Sequence, residues 1–243
     1  MRPTLIVTGA SQGIGAAVAR QAAECGYDIV LSYVKEHARA ESVARAITDA
    51  GGNVEVVRAD VAKEADVLGL FAACDRRFGR LDALVNNAGI TGPVARIADV
   101  TSDIIDTVMG VNVRGAYLCL REAARRMGEG GAIVNVSSRA AALGGGGEWV
   151  HYATSKGALD TLTIGAAKEL AEKGIRVNAV NPGLIETDLH ARSGQPDRLE
   201  RMRGGVPMGR VGSADEVARV IMWLLSDAAS YVTGALVPVS GGR

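Results

Sequence analysis

The sequence predicts a single α/β domain built on a parallel sheet with helices on both faces. Three observations predict it. Short β-branched runs alternate with longer amphipathic stretches from one end of the chain to the other, the signature of strand-helix-strand units with right-handed crossovers. The apolar strand-like runs lack period-2 alternation, as expected when both faces are covered. The first run passes straight into a glycine-rich turn and then into a helical pattern.

In order, residues 4–8, 27–32, 53–58, 83–85, 132–136, 176–180 and 235–239 are expected as strands. Residues 13–24, 36–50, 63–78, 110–127, 150–173 and 214–226 are expected as helices. No linker, repeat or low-complexity tract divides the chain, and 243 residues suffice for one substantial core. Two segments interrupt the alternation. Residues 139–148 contain four consecutive glycines, Gly144 to Gly147. Residues 186–206 are polar and rich in Gly, Arg and Asp, and are expected to form a substrate lid at a strand's carboxyl end.

Composition narrows the function classes. Lys plus Arg and Asp plus Glu each number 27, so the formal charge is zero and no basic surface suited to nucleic acid is expected. The chain enters its first strand within four residues and has no apolar run of spanning length, so a cytoplasmic protein without a membrane partner is expected. Cys25, Cys74 and Cys119 are scattered, lack metal-ligand spacing and sit in apolar helical contexts. Buried reduced thiols and no metal site follow.

Chemistry concentrates at two places. The turn TGASQGIG over residues 8–15 offers Gly9, Gly13 and Gly15 between first strand and first helix. Glycine allows the tight turn and close approach of a pyrophosphate, and the opening helix aims its N–H groups at the anion. Ser11, Gln12 and Ile14 complete that cradle. Later, Tyr152 and Lys156 stand four residues apart, on one face of a helix. A phenol titrates near 10 when unperturbed, and a neighbouring ammonium favours its ionised form. Such a pair suits proton exchange with an alkoxide during carbonyl/alcohol redox chemistry.

The motifs TGxxxGIG (residues 8–15), NNAG (residues 86–89), Ser138, YxxxK (residues 152–156) and Pro182-Gly183 occur in this order across nearly the whole chain, which ends in YVTG and SGGR. The sequence thereby resembles the short-chain dehydrogenase/reductases. It is similar in pattern to 3-oxoacyl-carrier-protein reductases and to bacterial glucose 1-dehydrogenase-like members. The resemblance implies a seven-stranded, doubly wound Rossmann-type sheet with a nicotinamide cofactor across the strands' carboxyl ends, and hydride transfer on the pro-S side. It assigns Tyr152 as general acid/base, Lys156 as the cation beside it, Ser138 as the polariser of the carbonyl, and Asn112 as holder of a helix backbone and a relay water. Asp60 and Val61 would flank the adenine. Asn87, Ala88 and Gly89 would lie by the adenosine ribose, and Pro182, Gly183, Ile185 and Thr187 by the nicotinamide.

The second strand ends in Leu31-Ser-Tyr-Val-Lys35, with no carboxylate before Glu36. An acidic residue there would bond a ribose 2′-hydroxyl and repel a 2′-phosphate. Ser32, Tyr33 and Lys35 therefore favour NADP(H), with NAD(H) the alternative. Gln12, where many NADP-binding relatives carry a basic residue, weighs against it. Ser138 and Tyr152 are fourteen positions apart, one more than is usual in the family. The glycine run can absorb the extra residue, leaving Glu148, Trp149 and His151 near the pocket entrance, with a solvated position the alternative for Glu148 and His151. His190 and Arg192 are candidate contacts for an anionic substrate.

The expected function is an NADP(H)-dependent oxidoreductase interconverting a small-molecule carbonyl and a secondary alcohol. The alternatives are a catalytically silent NADP(H)-binding redox sensor and a sugar-nucleotide epimerase or dehydratase. The helices expected at 110–127 and 150–173 carry apolar residues beyond one sheet-facing stripe, and the resemblance implies a homotetramer.

Overall fold

A computed structural model describes residues 2–188 and 194–243. Seven strands form one parallel sheet in the order β3-β2-β1-β4-β5-β6-β7. They are β1 (Thr4–Val7), β2 (Asp28–Tyr33), β3 (Val54–Arg58), β4 (Ala83–Asn86), β5 (Ala132–Val136), β6 (Arg176–Pro182) and β7 (Leu236–Val239). β1 pairs with both β2 and β4, so strand order reverses beside β1 and opens a crevice at the carboxyl ends, the ligand position of doubly wound sheets.

Burial on both faces explains why the strands lack alternation. Leu5 and Val7 join one apolar cluster and Ile6 the other; Val134 and Ile133 divide the same way. Helices α1 (Gly13–Glu24), α2 (His37–Asp49) and α9 (Ala214–Leu225) contribute to the first cluster. Helices α3 (Glu64–Phe78), α5 (Ala116–Arg126) and α7 (Val150–Leu170) contribute to the second.

Short helices α6 (Ala140–Leu143) and α8 (Arg198–Arg203) lie in the two segments expected to be irregular. The expected helix at 110–127 has a different shape. It begins earlier as α4 (Ser102–Met109), where the Thr101 hydroxyl accepts the Ile104 N–H, and continues through a π-helical turn at Gly110–Gly115 into α5. In the fold, Gly115 is required because an added Cβ would lie 2.7 Å from Val61 Cγ2.

The cysteine expectation holds for Cys74 and Cys119 and fails for Cys25, which is exposed. Cys25 is the C-cap residue of α1, two positions past the last buried residue, Ala23, and just before the turn at Gly26. Burial pushes both the Cys74 and the Cys119 thiol up to about 12. Among the described residues, no helix is long and apolar enough to cross a membrane, and no His, Cys, Asp or Glu cluster could hold a metal ion.

Candidate active site

A cleft of about 650 Å³ runs along the carboxyl edge of the sheet from the glycine turn to α7. At one end, α1 opens without a side-chain cap and without an acidic residue in its first turn. Ala16 is the first residue whose N–H reaches back to Gln12, so the N–H groups ahead of it remain for an anion. Gly13 has φ +55, a conformation only glycine adopts freely. Gly15 answers a different need, since its added Cβ would lie 2.4 Å from Asn87 Nδ2 and 2.8 Å from the Gly9 carbonyl oxygen. The turn is tied to the end of β4 by Asn87 Nδ2, which donates to the carbonyls of Thr8 at 2.9 Å and Gly9 at 3.0 Å. Thr8 Oγ1 in turn accepts the N–H groups of Asn87 and Ala88, each at 3.0 Å.

Most residues expected at a cofactor line this cleft: Gly9, Ser11, Gln12, Gly13, Ile14, Lys35, Asp60, Val61, Asn87, Ala88, Gly89, Pro182, Gly183, Ile185 and Thr187. Three of the expected cofactor residues, Gly15, Ser32 and Tyr33, do not, nor does Asn112 of the expected catalytic set. Gly15 packs behind the turn, and Asn112 lies beneath the wall. Ser32 is fully buried, its hydroxyl accepting the Gly9 N–H at 3.2 Å and its carbonyl the Ala10 N–H at 2.8 Å. It holds the turn from behind, correcting the expectation of a direct cofactor bond. Tyr33 packs against His37 with ring centroids 5.3 Å apart. Asp60 Oδ1 accepts the Ala62 N–H at 3.1 Å, and the residue lines the cleft.

The uncapped helix start, the glycine backbone and the length of the cleft fit a nicotinamide dinucleotide. Arg39 was not singled out in the sequence, being one helical turn into α2. Its Nη1 donates to Gln12 Oε1 at 2.6 Å and to Asp188 Oδ2 at 2.5 Å, bracing the rim of the glycine turn.

At the other end, Ser138, Tyr152 and Lys156 lie on one wall. Ser138 follows β5, and its Oγ accepts the Ala140 N–H at 3.1 Å. Ser137 turns inward and donates to the Lys156 carbonyl at 3.1 Å. Lys156 is buried, donates from Nζ to the Val136 carbonyl at 2.7 Å, and lies 5.7 Å from the centre of the Tyr152 ring. Burial pushes the Lys156 ammonium down to about 8, against the opposing field of Asp160 one turn further along α7. Burial raises the Tyr152 phenol above 10, while a hydrogen bond with Ser138 and the field of Arg198 pull it back. A protonated phenol beside a hydroxyl and a buried amine can deliver a proton to a developing alkoxide.

Asn112 sits in the π-helical turn, where Oδ1 accepts the Ile90 N–H at 2.9 Å. Its Nδ2 donates to the Ile90 carbonyl at 2.8 Å and to Ser155 Oγ at 2.9 Å. The backbone it holds is the stretch after β4, which it joins to α7. Gly89 passes between this asparagine and Lys156, its added Cβ lying 3.3 Å from Asn112 Oδ1 and from Lys156 Nζ.

The segment around the glycine run also departs from expectation. His151 is buried, and its Nε2 meets the Thr91 carbonyl at 3.0 Å, which removes the solvated alternative. Glu148 pairs with Arg198 and with Arg201. Trp149 is buried under the Arg198 guanidinium, whose carbon lies 4.4 Å from the ring centre. Arg198 and Arg243 line the cleft as well; neither distance from Tyr152 in the chain nor local pattern would have revealed this. His190 and Arg192 lie outside the described residues.

The profile described as enoyl-(acyl carrier protein) reductase matches residues 9–243. An oxidoreductase of Escherichia coli (strain K12), YgfF, is 48% identical over 243 residues, covering 98% of each chain. The L-rhamnose 1-dehydrogenase (NAD(P)(+)) of Azotobacter vinelandii is 42% identical over 246 residues, covering 98% of this chain and 95% of its own. Among solved structures, a short-chain dehydrogenase of Burkholderia cenocepacia in complex with NADP superposes with a TM-score of 0.93 at 34% identity, covering 99% of this chain and 97% of that one. The chain therefore belongs to the short-chain dehydrogenase/reductase family of oxidoreductases.

Proposed function

We propose that the protein is an NADP(H)-dependent oxidoreductase interconverting a carbonyl and a secondary alcohol, with Tyr152 as general acid/base. The observation that carries this reading is the single cleft wall shared by Ser138, Tyr152 and Lys156, continuous with the uncapped glycine turn. Gly9, Ser11, Gly13 and Ile14 would hold the pyrophosphate, Asp60 and Val61 the adenine side, and Ile185 and Thr187 the nicotinamide side. A reduced nicotinamide bound there supplies the hydride.

The remaining work belongs to the chain. Ser138 hydrogen-bonds the carbonyl oxygen and stabilises the charge that develops on it. Tyr152 transfers its phenolic proton to that oxygen as the alkoxide forms. Lys156 stabilises the resulting phenolate, and Asn112 positions the stretch after β4 against α7. In the oxidation direction the same groups run in reverse, with the phenolate taking the alcohol proton. Lys35, exposed on the cleft rim after β2, is the proposed partner of a 2′-phosphate. The NADP bound by the Burkholderia cenocepacia relative supports that preference, while the name of the Azotobacter vinelandii enzyme allows both dinucleotides.

Exposed Tyr117 on α5 and Ile164 on α7 support assembly through these helices, for which we propose a homotetramer; light scattering would give the mass. The functional reading is tested by following NADPH oxidation against ketones of differing size and charge. Ketone-dependent oxidation is expected, and NADPH binding without consumption by any of them would favour a sensor instead.

A further inference from the structure

We propose that the reacting end of the cleft selects an anionic substrate, a ketone or secondary alcohol bearing a carboxylate, and that Arg198 is the residue that recognises it. This deepens the oxidoreductase reading and rests on it for the identity of the reacting group.

The arginines of the cleft gather at its reacting end, whereas Lys35 lies with the carboxylates at the other. Among the described lining residues, the carboxylates are Glu36 and Asp60, which follow β2 and β3 on one side of the sheet. Arg139, Arg198 and Arg243 line the same cleft, together with the residues that follow β5 and β6 on the other side. Arg139 donates from Nε to the Arg243 carbonyl oxygen at 2.7 Å, which draws these two residues together. Arg198 and Arg243 act on each other as like charges, since the field of Arg198 helps lower the Arg243 guanidinium.

Glu148 is the carboxylate that answers this cluster, and it is divided between Arg198 and Arg201. Arg198 and Arg243 thus line a pocket whose nearby carboxylate, Glu148, is shared with Arg201, while Arg139 acts on Asp160 and on the Arg243 main-chain oxygen. A bound carboxylate would restore the balance.

Arg198 has the form of a built recognition group. Its side chain is 11% exposed. Its guanidinium carbon lies 4.4 Å from the ring centre of Trp149, whose backbone N–H donates to the Gly145 carbonyl at 2.9 Å. Among the described residues, the Arg198 Nε is buried without a hydrogen-bond partner. A buried donor of this kind is satisfied when an acceptor arrives, and a planar guanidinium fits a carboxylate with directional bonds. Arg198 and Tyr152 line the same cleft, and the field of this cation reaches the phenol. The long glycine loop of residues 144–147 is what carries Glu148 and Trp149 to this position.

The test titrates the full-length protein, with NADP+ present, with acetoacetate and 4-oxocyclohexanecarboxylate, each against its own methyl ester, by calorimetry. The acids are expected to bind about tenfold or more tightly than the esters, the scale of one charge-assisted hydrogen bond. Arg198→Gln should erase most of that difference, Arg198→Lys should keep part of it, and Arg243→Gln should reduce it. Glu148→Gln removes the competing carboxylate and should strengthen acid binding.

Esters that bind as tightly as the acids would overturn the proposal. So would discrimination that survives both Arg198→Gln and Arg243→Gln. Loss of acid binding in Glu148→Gln equal to that in Arg198→Gln would also overturn it, marking the ion pair as a structural tie. NADPH binding and oxidation measured on the same samples separate the two readings: absent turnover sinks the oxidoreductase assignment, whereas the acid-to-ester ratio reports charge selection alone.

Discussion

Replacing Lys156 with methionine is expected to stabilise the cofactor-free protein near neutral pH while removing its activity. Burial lowers this ammonium from 10.5 to about 8, a difference of about 2.5 units or about 3 kcal/mol. A lysine with a depressed folded pKa binds fewer protons folded than unfolded between those two values. Stability therefore rises with pH from about 8 to about 10.5, and the full penalty for the buried charge is present below pH 8. Methionine removes the penalty but forfeits the 2.7 Å bond to the Val136 carbonyl, at a cost of about 1–2 kcal/mol. The net gain is about 1–2 kcal/mol near pH 7, which for a domain of this size raises the melting midpoint by about 2–8 °C. Melting curves of parent and variant at fixed concentration, from about pH 6 to pH 10, read it directly. The variant should be ahead at the acid end and lose its lead as the parent's lysine deprotonates. A lead that does not change with pH, or a variant less stable throughout, would refute the burial argument. Ketone reduction should meanwhile fall by about 10²–10⁴-fold.

Three further outcomes follow from the geometry. Asn112→Ala strips partners from the Ile90 N–H and carbonyl and from Ser155 Oγ; it should cost about 2–4 kcal/mol in urea denaturation. Gly15→Ala drives a methyl group into Asn87 and the Gly9 carbonyl. It should lose about 1–3 kcal/mol of stability and weaken NADPH binding measured by fluorescence titration, whereas Gly26→Ala, with open space at its Cβ, meets only the strain of its positive φ. Lys35→Glu should reverse the preference for NADPH over NADH, and unchanged NADPH affinity would remove Lys35 from the site.

What the sequence made legible was local. The strands stood out because residues such as Ile6 and Val7 are buried on opposite faces by different helices, so successive positions are apolar and no period-2 alternation appears. Tyr152 and Lys156 stood out because helical spacing alone puts them on one face. What escaped depends on contacts between distant parts of the chain. α4 was overlooked because Gly110 and Gly115 punctuate the helix, and the contact of Gly115 with Val61 that explains one of them spans more than one element. Ser32 is polar and ends its strand beside the crevice, yet its hydroxyl is taken by the Gly9 N–H. His151 was open to a solvated reading until the Thr91 carbonyl, sixty positions away, gave it a buried partner. Arg198 could not be linked to Tyr152 at all, since fold closure alone brings α8 over Trp149.

The central claim is that one phenol moves the proton in a nicotinamide-dependent reduction. Its most direct test is ketone-dependent NADPH oxidation by the parent protein and by Tyr152→Phe, with NADPH affinity measured for both. The account predicts that the phenylalanine variant binds NADPH as tightly as the parent and turns over at least about 10²-fold more slowly. Equal turnover by the two proteins would contradict it.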